Sequence, residues 1–524
     1  MRSSTPSAFA PIALLFAALA GTACSGFTSN GSADDSAAVP PRGGDEAPKA
    51  PIVTGTPDKR ELTEEFGVFV APSGRAENPG TTAFPLNTIQ AGIELGKRVG
   101  KRVYVCTGTY PEALVLADSI SIIGGLECTG GGWRFGAPRT RIEAPSSPAI
   151  RAKNIASTTR LEGLDVSSPN ATAASGSSIG VFADHAAGLV IAGSRITAGD
   201  GANGVDGREG TQLTQSGSAD GESTVGEAEC INNVTCTKQA VAALYPWLKP
   251  RGGLGGTGTC AGAPGHDGGA GGYGGSGGLF APVQSGPTYV WHYYAEAQGM
   301  APEYGLNQVG RAGAAGANGT PSDGSLSADG YAATHGVAGT DGAPGAGGYG
   351  GRGSNPIKDP GQVRFDAVWR GAGGPGGGAG GCPGLAGTAG TGGGASIAVA
   401  LVDSPVVLDG TQLAAGRAGS GGRGSFGSDP TAGGRAGENR TSATVNAAGP
   451  GGNGGVAGIS TNGGNGPSVG VLHSGAAPIV KSGSKITPGP TASSIDARTH
   501  QDTLGTAKTI PASPAGISKD ILAL

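Results

Sequence analysis

One segment of this chain is written three times, and that repeat limits what the chain can fold into. Residues 178–199 read SIGVFADHAAGLVIAGSRITAG, residues 396–416 read SIAVALVDSPVVLDGTQLAAG and residues 468–489 read SVGVLHSGAAPIVKSGSKITPG; the three align with one gap. The closing heptads begin at Gly193, Gly410 and Gly483, so the copies lie 217 and 73 residues apart. An internal repeat implies stacked copies of one unit, each burying the apolar face of its neighbour. Apolar residues alternate within each copy: Ile179, Val181, Leu189, Ile191 and Ile196, then Ile397, Val399, Val406, Leu408 and Leu413, then Val469, Val471, Ile479 and Ile486. Period two means short strands with one buried face. Gly193, Gly410 and Gly483 sit at bends, where a residue without Cβ can take φ > 0. Lys481 aligns with Ile191 and Leu408, which suits the open end of a stack. The unequal spacing places residues 200–395 and 417–467 in excursions that leave and re-enter at one corner. Loop-closure entropy grows only logarithmically with length, so such excursions are tolerable.

Upstream the same signal runs without long interruption. VYVCTGTY (103–110), SISIIGGLEC (119–128), TRIEA (140–144), AIRA (149–152) and TRLEGLDVSS (159–168) are short strand-like runs separated by turn residues. Helical periodicity occurs in PLNTIQAGIELGKRVGKR, where Leu86, Ile89, Ile93 and Val99 share a face behind Thr88 as N-cap. One amphipathic helix ahead of stacked coils is expected to cover their end. GVFVAPSGRAENPGTTAFPLNTIQAGIELG followed by VYVCTGTYPEALVLADSISIIGGLEC resembles the N-terminal part of pectin-lyase-like right-handed parallel β-helix proteins, in particular uncharacterised bacterial surface lipoproteins of that fold with glycine-rich insertions. The resemblance covers residues 67–168 and, through the three copies, extends discontinuously to 489. It implies an all-β fold: a right-handed parallel β-helix (solenoid) with an N-terminal capping helix and long Gly-rich loop insertions. It says little about chemistry, because this fold hosts lyases, hydrolases, adhesins and inert stalks.

Glycine supplies 105 of 524 residues, mostly within the two excursions, and hydrophobic content is 37%, so only part of the chain can build a core. A net charge of −4 leaves no basic footprint, which excludes nucleic acid as a partner. MRSSTPSAFAPIALLFAALAGTACSG has one Arg, an apolar run from Ala8 to Ala20 and small residues before Cys24, as a secretory leader does. GTAC lacks the usual first Leu of a bacterial lipobox, and ALA at 18–20 suits ordinary signal peptidase. The polar, Pro-rich tether that follows favours lipidation at Cys24 and attachment to a membrane, at the outer membrane or cell surface. No other run is long and apolar enough to span a membrane.

Removing Cys24 leaves six cysteines, an even number suited to an oxidising compartment. Cys106 and Cys128 are 22 residues apart, about one coil, and strands on neighbouring coils lie about 4.8 Å apart, within disulfide range. Cys230 and Cys236 are close enough in sequence to pair, which leaves Cys260 and Cys382 to close the long excursion; free buried thiols are the alternative. No CxxC occurs, so zinc is not expected, and no other metal or cofactor is indicated. The expected organisation is a leader (1–24), tether (25–64), N-terminal coils with the helix (65–199), Gly-rich insertion (200–395), coil (396–416), second insertion (417–467), coil (468–490) and C-terminal tail (491–524).

GVAGTDGAPG (336–345) and GCPGLAGTAG (381–390) place Gly at every third position, as packed polyproline II-type strands require, but the period lasts only about four triplets, too few for collagen. Packed extended strands and disorder both remain open. KQAVAALYPWLKP (238–250) reads as a short amphipathic helix, and residues 200–395 hold eight of the ten Tyr and three of the four Trp. Trp247, Tyr289, Trp291, Tyr293 and Tyr294 fit either stacking platforms for a glycan or, preferred because aromatics bury large areas, a small packed island anchoring the loop.

The resemblance implies that catalysis would need carboxylates on successive coils at one phase. Asp165, Asp184, Asp403 and Asp409 are the candidates, with His185, Arg195 and His473 nearby, yet no acidic pair recurs at one phase and the Asp184 region reads as a polar turn. Arg195, Gln412 and Lys485 share an outward phase beside inward Ile196, Leu413 and Ile486. The expected function is a non-catalytic cell-surface β-helix lipoprotein displaying Gly-rich loops in adhesion, envelope structure or binding of a polysaccharide or cell-surface glycan. The alternative is a secreted polysaccharide lyase or glycoside hydrolase of the same fold.

Overall fold

A computed structural model describes residues 62–440 and 447–524, apart from 130–131, 137, 217, 224–251, 262–266, 268–278, 286–287, 295–323, 354–368 and 371–372. Three parallel sheets dominate it. The first holds Gly67–Val70, Arg102–Cys106, Ile122–Glu127, Thr159–Glu162, Leu189–Ala192, Val407–Asp409 and Ile479–Val480. The second holds Thr109–Tyr110, Thr140–Glu143, Leu164–Ser167, Arg195–Thr197, Gln412–Ala414 and Lys485–Thr487. The third holds Leu114–Val115, Ile150–Lys153, Ser178–Asp184, Ser396–Val402, Ser468–Ser474 and Ser518–Ala523. From Arg102 onward the chain visits first, second and third sheet in turn, so each circuit adds one strand to each sheet.

The written repeat is this circuit. Ile179 pairs with Ile397 and Ile397 with Val469; Ile196 pairs with Leu413 and Leu413 with Ile486. Gly193, Gly410 and Gly483 have φ of 52°, 56° and 84°, as the bends demand. Both excursions depart between the second and third sheets, the corner that residues 168–177 cross directly. Residues 490–517 form a third departure there, because the expected tail returns as Ser518–Ala523 beside Ser468–Ser474.

Lys481 requires a correction. Ile191 pairs with Leu408 and Leu408 with Val480, so Val480 takes that position, while Lys481 follows Asp409 and meets its carboxylate at 3.3 Å. The register with the second copy is unchanged from Ser474 through Val480 and gains one residue before Lys485, so the extra residue of the third copy lies in the bend at 481–484 and apolar Val480 keeps the inward phase.

Inward side chains such as Val103, Ile122, Ile142, Leu161, Val166, Val181, Ile191, Val399 and Leu413 form one buried core. Parts of the outer faces of the other two sheets are covered as well. Phe69, Tyr104 and Ile123 of the first lie under Trp133 and Phe135, and Phe182, Ile397, Ala400 and Leu472 of the third lie under Leu326 and Tyr331. Burial on both faces explains why SIGVFA and SIAVAL are almost continuously apolar. The second sheet alternates strictly, with Thr140 and Ile142 buried and Arg141 and Glu143 exposed.

Among the described residues one helix occurs, Ile89–Val99. The Thr88 hydroxyl accepts from Ala91 N and Gly100 closes the end at φ 68°. The Glu112 carboxylate accepts from Ile89 N at 2.8 Å and Gln90 N at 3.0 Å, supplying the first turn with an anion its own sequence lacks. Ile89 and Ile93 are buried, and a Cβ on Gly92 would press on Val70 and Val103 of the first sheet. Val99 faces outward, and Leu86 lies ahead of the helix in a bridge with Val70.

The described parts of the glycine-rich excursions are packed. Segment 373–395 is largely buried and has hydrogen-bonded neighbours on every side. Gly378, Gly381, Gly384, Gly390 and Gly393 donate to carbonyls of Gly449, Gly452, Gly455, Thr461 and Gly464. Gly419, Gly422, Ser428, Thr431 and Gly434 donate back to carbonyls between Gly394 and Ala379. Gly342, Gly345 and Gly348 donate to Gly384, Gly381 and Gly378. The repeat of three, rather than the two of a β-ladder, is that of packed polyproline II-type strands. A Cβ on Gly378 or Gly390 would run into the carbonyl of Gly434 or Gly422.

Candidate functional site

The open face of the second sheet is the first candidate. Thr109, Arg141, Asp165, Arg195, Gln412 and Lys485 pair in sequence across six strands and form one outward row, with neighbours about 4.8 Å apart. Arg195, Gln412 and Lys485 thus share the expected phase. Arg141 Nε meets Glu143 Oε1 at 3.3 Å, so part of the charge on this face is internally paired. The row mixes three cations and one anion with amide and hydroxyl groups, so with Glu143 counted this polar face keeps a small positive excess.

The remaining candidates gather at the corner from third to first sheet. Asn154, His185, Asp403 and Gly475 stack there with φ of 55°, 51°, 44° and 79°, a left-handed conformation that Asn, Asp and Gly tolerate best. Their N–H groups link the circuits: Asn154 to Asp184 O, His185 to Val402 O and Asp403 to Ser474 O. Asp184 is buried and gives one carboxylate oxygen to His185 Nδ1 at 2.6 Å and the other to Lys153 Nζ at 3.4 Å. Asp403 Oδ2 stands 4.0 Å from His185 Nε2. His473 occupies the phase of inward Leu401 one circuit on, and its Nδ1 lies 3.3 Å from Gly475 O. Asp165 and Asp409 lie on the second and first sheets, away from this corner. A buried carboxylate orienting a histidine is half of a charge relay. The nearby Ser404 hydroxyl is committed to Val402 O and Ala186 N.

Cys106 and Cys128 are disulfide-bonded, as are Cys260 and Cys382. The latter bond links Cys260, on a strand that pairs antiparallel with Thr214–Ser216, to the buried segment 373–395, in a small core with Leu213 and Leu385. Cys24, Cys230, Cys236, Trp247 and the helix expected at 238–250 lie outside the described residues. Tyr289, Trp291, Tyr293 and Tyr294 fall on strand Thr288–Tyr294, which pairs antiparallel with Leu279–Ser285.

A ladder of side-chain acceptors was missed in the sequence. Asp200, Asn203, Asp206, Glu209 and Gln212 accept from the backbone N–H of Arg417, Ser420, Arg423, Phe426 and Asp429, each pair 217 residues apart. That is the spacing of the repeat itself, so the register of the circuits runs on into the excursions. The signal was available as an acceptor residue before each Gly of DGANGVDGREG. Asn465 and Asn462 do the same for Gly421 and Gly424.

The molecule is thus nearly all-β, with parallel sheets joined to a packed glycine-rich array. The chain matches no protein-family model, no curated protein and no solved structure. Among the described residues, no helix is long and apolar enough to cross a membrane, and no group of three or more His, Cys, Asp or Glu is placed to hold a metal.

Proposed function

We propose that this chain is a pectin-lyase-like, right-handed parallel β-helix, closed at one end by helix Ile89–Val99. It acts as a non-catalytic surface lipoprotein, tethered through Cys24, that presents its glycine-rich array and open sheet face for adhesion to polysaccharide or cell-surface glycan. The observation that carries this reading is how its carboxylates are used. Asp200, Asp206, Glu209 and Asp220 hold backbone N–H groups of the array, Glu112 holds the helix, and Asp184 is locked between His185 and Lys153. Acids engaged in this way rigidify a display surface. A polar face rich in hydroxyl, amide and guanidinium groups matches the hydrogen-bonding habit of sugars.

A glycan array probed with the secreted protein tests the adhesive reading, with selective binding to a saccharide set expected. Mass spectrometry of the mature N-terminus should find a lipidated Cys24, and a free N-terminus at Gly21 would remove the anchor. Calcium-dependent appearance of unsaturated products from polygalacturonate would replace this reading by that of a lyase.

A further inference from the structure

A groove of about 520 Å³ opens where the array meets the C-terminal return, between Asp206, Ser420 and Arg423 on one side and Ser493, Asp496 and Arg498 on the other. Its volume lies within the range of about 300–1,000 Å³ usual for small-ligand sites. Both walls are fixed from behind. The buried Asn465 carboxamide accepts from Gly421 N at 2.8 Å and donates to Ser493 O at 3.0 Å and Pro514 O at 2.8 Å, tying the array to the return. Gly516 N holds Ala492 O, and Ile495 and Ser513 exchange both backbone bonds at 2.9 Å. Asp206 Oδ1 anchors the backbone of Arg423 at 2.7 Å, which fixes where that side chain begins.

The groups facing the groove are less occupied than the backbone behind them. Among the described residues neither Arg423 nor Asp496 has an ion-pair partner. Arg498 stacks over the Phe426 ring at 5.3 Å and donates one terminal nitrogen to Gly424 O, yet its Nε is buried without a partner. A buried unpaired donor is costly unless something else accepts from it. The rim therefore carries two guanidinium groups, two carboxylates and serine hydroxyls, and no aromatic platform.

We propose that this groove binds the end of a neutral saccharide, an inference that rests on the adhesive reading above. Guanidinium and carboxylate groups in equal number leave little net charge to select an ionic polymer. A pair of vicinal hydroxyls can donate to a carboxylate and accept from a guanidinium fork at once. Backbone ordering on both walls means little reorganisation on binding.

Isothermal titration of the full chain with a panel of neutral disaccharides tests the proposal, with trigalacturonate as charged comparator. A neutral sugar should bind with little dependence on salt. Arg423→Ala and Asp496→Asn should each weaken it by at least about tenfold at unchanged Tm. Binding of trigalacturonate in preference, or neutral-sugar binding indifferent to both variants, overturns the groove while leaving glycan adhesion standing at another surface. Absence of binding to every sugar, together with a blank glycan array, overturns both.

Discussion

Ser178, Ser396 and Ser468 open the third-sheet strands and tie the circuits together one hydroxyl at a time. Ser396 Oγ donates to Gly199 O at 2.7 Å and accepts from Gly416 N at 2.8 Å; Ser468 repeats this with Gly416 O and Gly489 N. Ser396 is fully buried, so Ser396→Ala strands two backbone groups and should cost about 1–3 kcal/mol in chemical denaturation. Ser518→Ala, at the exposed end of the same row, should cost less, and equal losses would show that burial of this hydrogen bond is not what matters. Tyr331, packed over the third sheet, has its phenol pushed up from 10.0 to about 12 by desolvation. A raised acid favours the protonated folded state, so its contribution is intact below pH 10 and is lost as pH rises to about 12. Stability measured across that window should fall, and Tyr331→Phe should flatten the fall. At this scale Lys481 shows where sequence reading slipped. Every other inward position of the repeat alternates visibly, but the third copy carries its extra residue in the bend KSGS (481–484), where polar and glycine residues have no phase of their own.

Strands of the circuits were legible because TRIEA and TRLEGLDVSS bury every second residue and leave the next exposed or half-buried. Array strands were half legible. The triplets at 336–345 and 381–390 announced a three-residue repeat, yet nothing in one triplet says which other segment it meets. That information lies in pairs such as Asp206 and Arg423, whose common spacing of 217 emerges only when the two excursions are laid side by side. A three-per-turn strand turns each successive N–H by a third of a circle, so segment 417–424 needs three partners. It finds backbone carbonyls at Gly419 and Gly422, Asn465 and Asn462 at Gly421 and Gly424, and the side-chain ladder of Asp200, Asn203 and Asp206 at Arg417, Ser420 and Arg423. Gly390→Ala should therefore destabilise by about 1–3 kcal/mol through overpacking, whereas exposed Ala338→Gly should stay within about 0.5 kcal/mol. Equal effects in urea titration would contradict close packing of the central segment. The double replacement Cys260→Ser with Cys382→Ser removes a link between residues 122 apart and should cost about 2–4 kcal/mol. Reductant alone, which opens Cys106–Cys128 as well, should cost more.

On the scale of the whole molecule the excursions and the circuits are separable in one direction only. Gly199 and Ser396 are already hydrogen-bonded, and Ile196 pairs with Leu413 without help from anything between them. Replacing residues 200–395 by a short Gly-Ser bridge should therefore preserve the parallel sheets, read as retained β-type circular dichroism and slow amide exchange at Ile196 and Leu413. The second excursion should not survive. Amides of Gly419, Gly422, Ser428, Thr431 and Gly434 donate to carbonyls that the deletion removes, and so should exchange rapidly. Loss of Leu326 and Tyr331 also uncovers Phe182, Ile397, Ala400 and Leu472, an apolar patch that should bind a hydrophobic dye and promote association. Retained protection at Gly419–Gly434 would mean that the second excursion orders itself on the circuits alone. Collapse of exchange protection at Ile196 would mean that the array holds the circuits together, the reverse dependence.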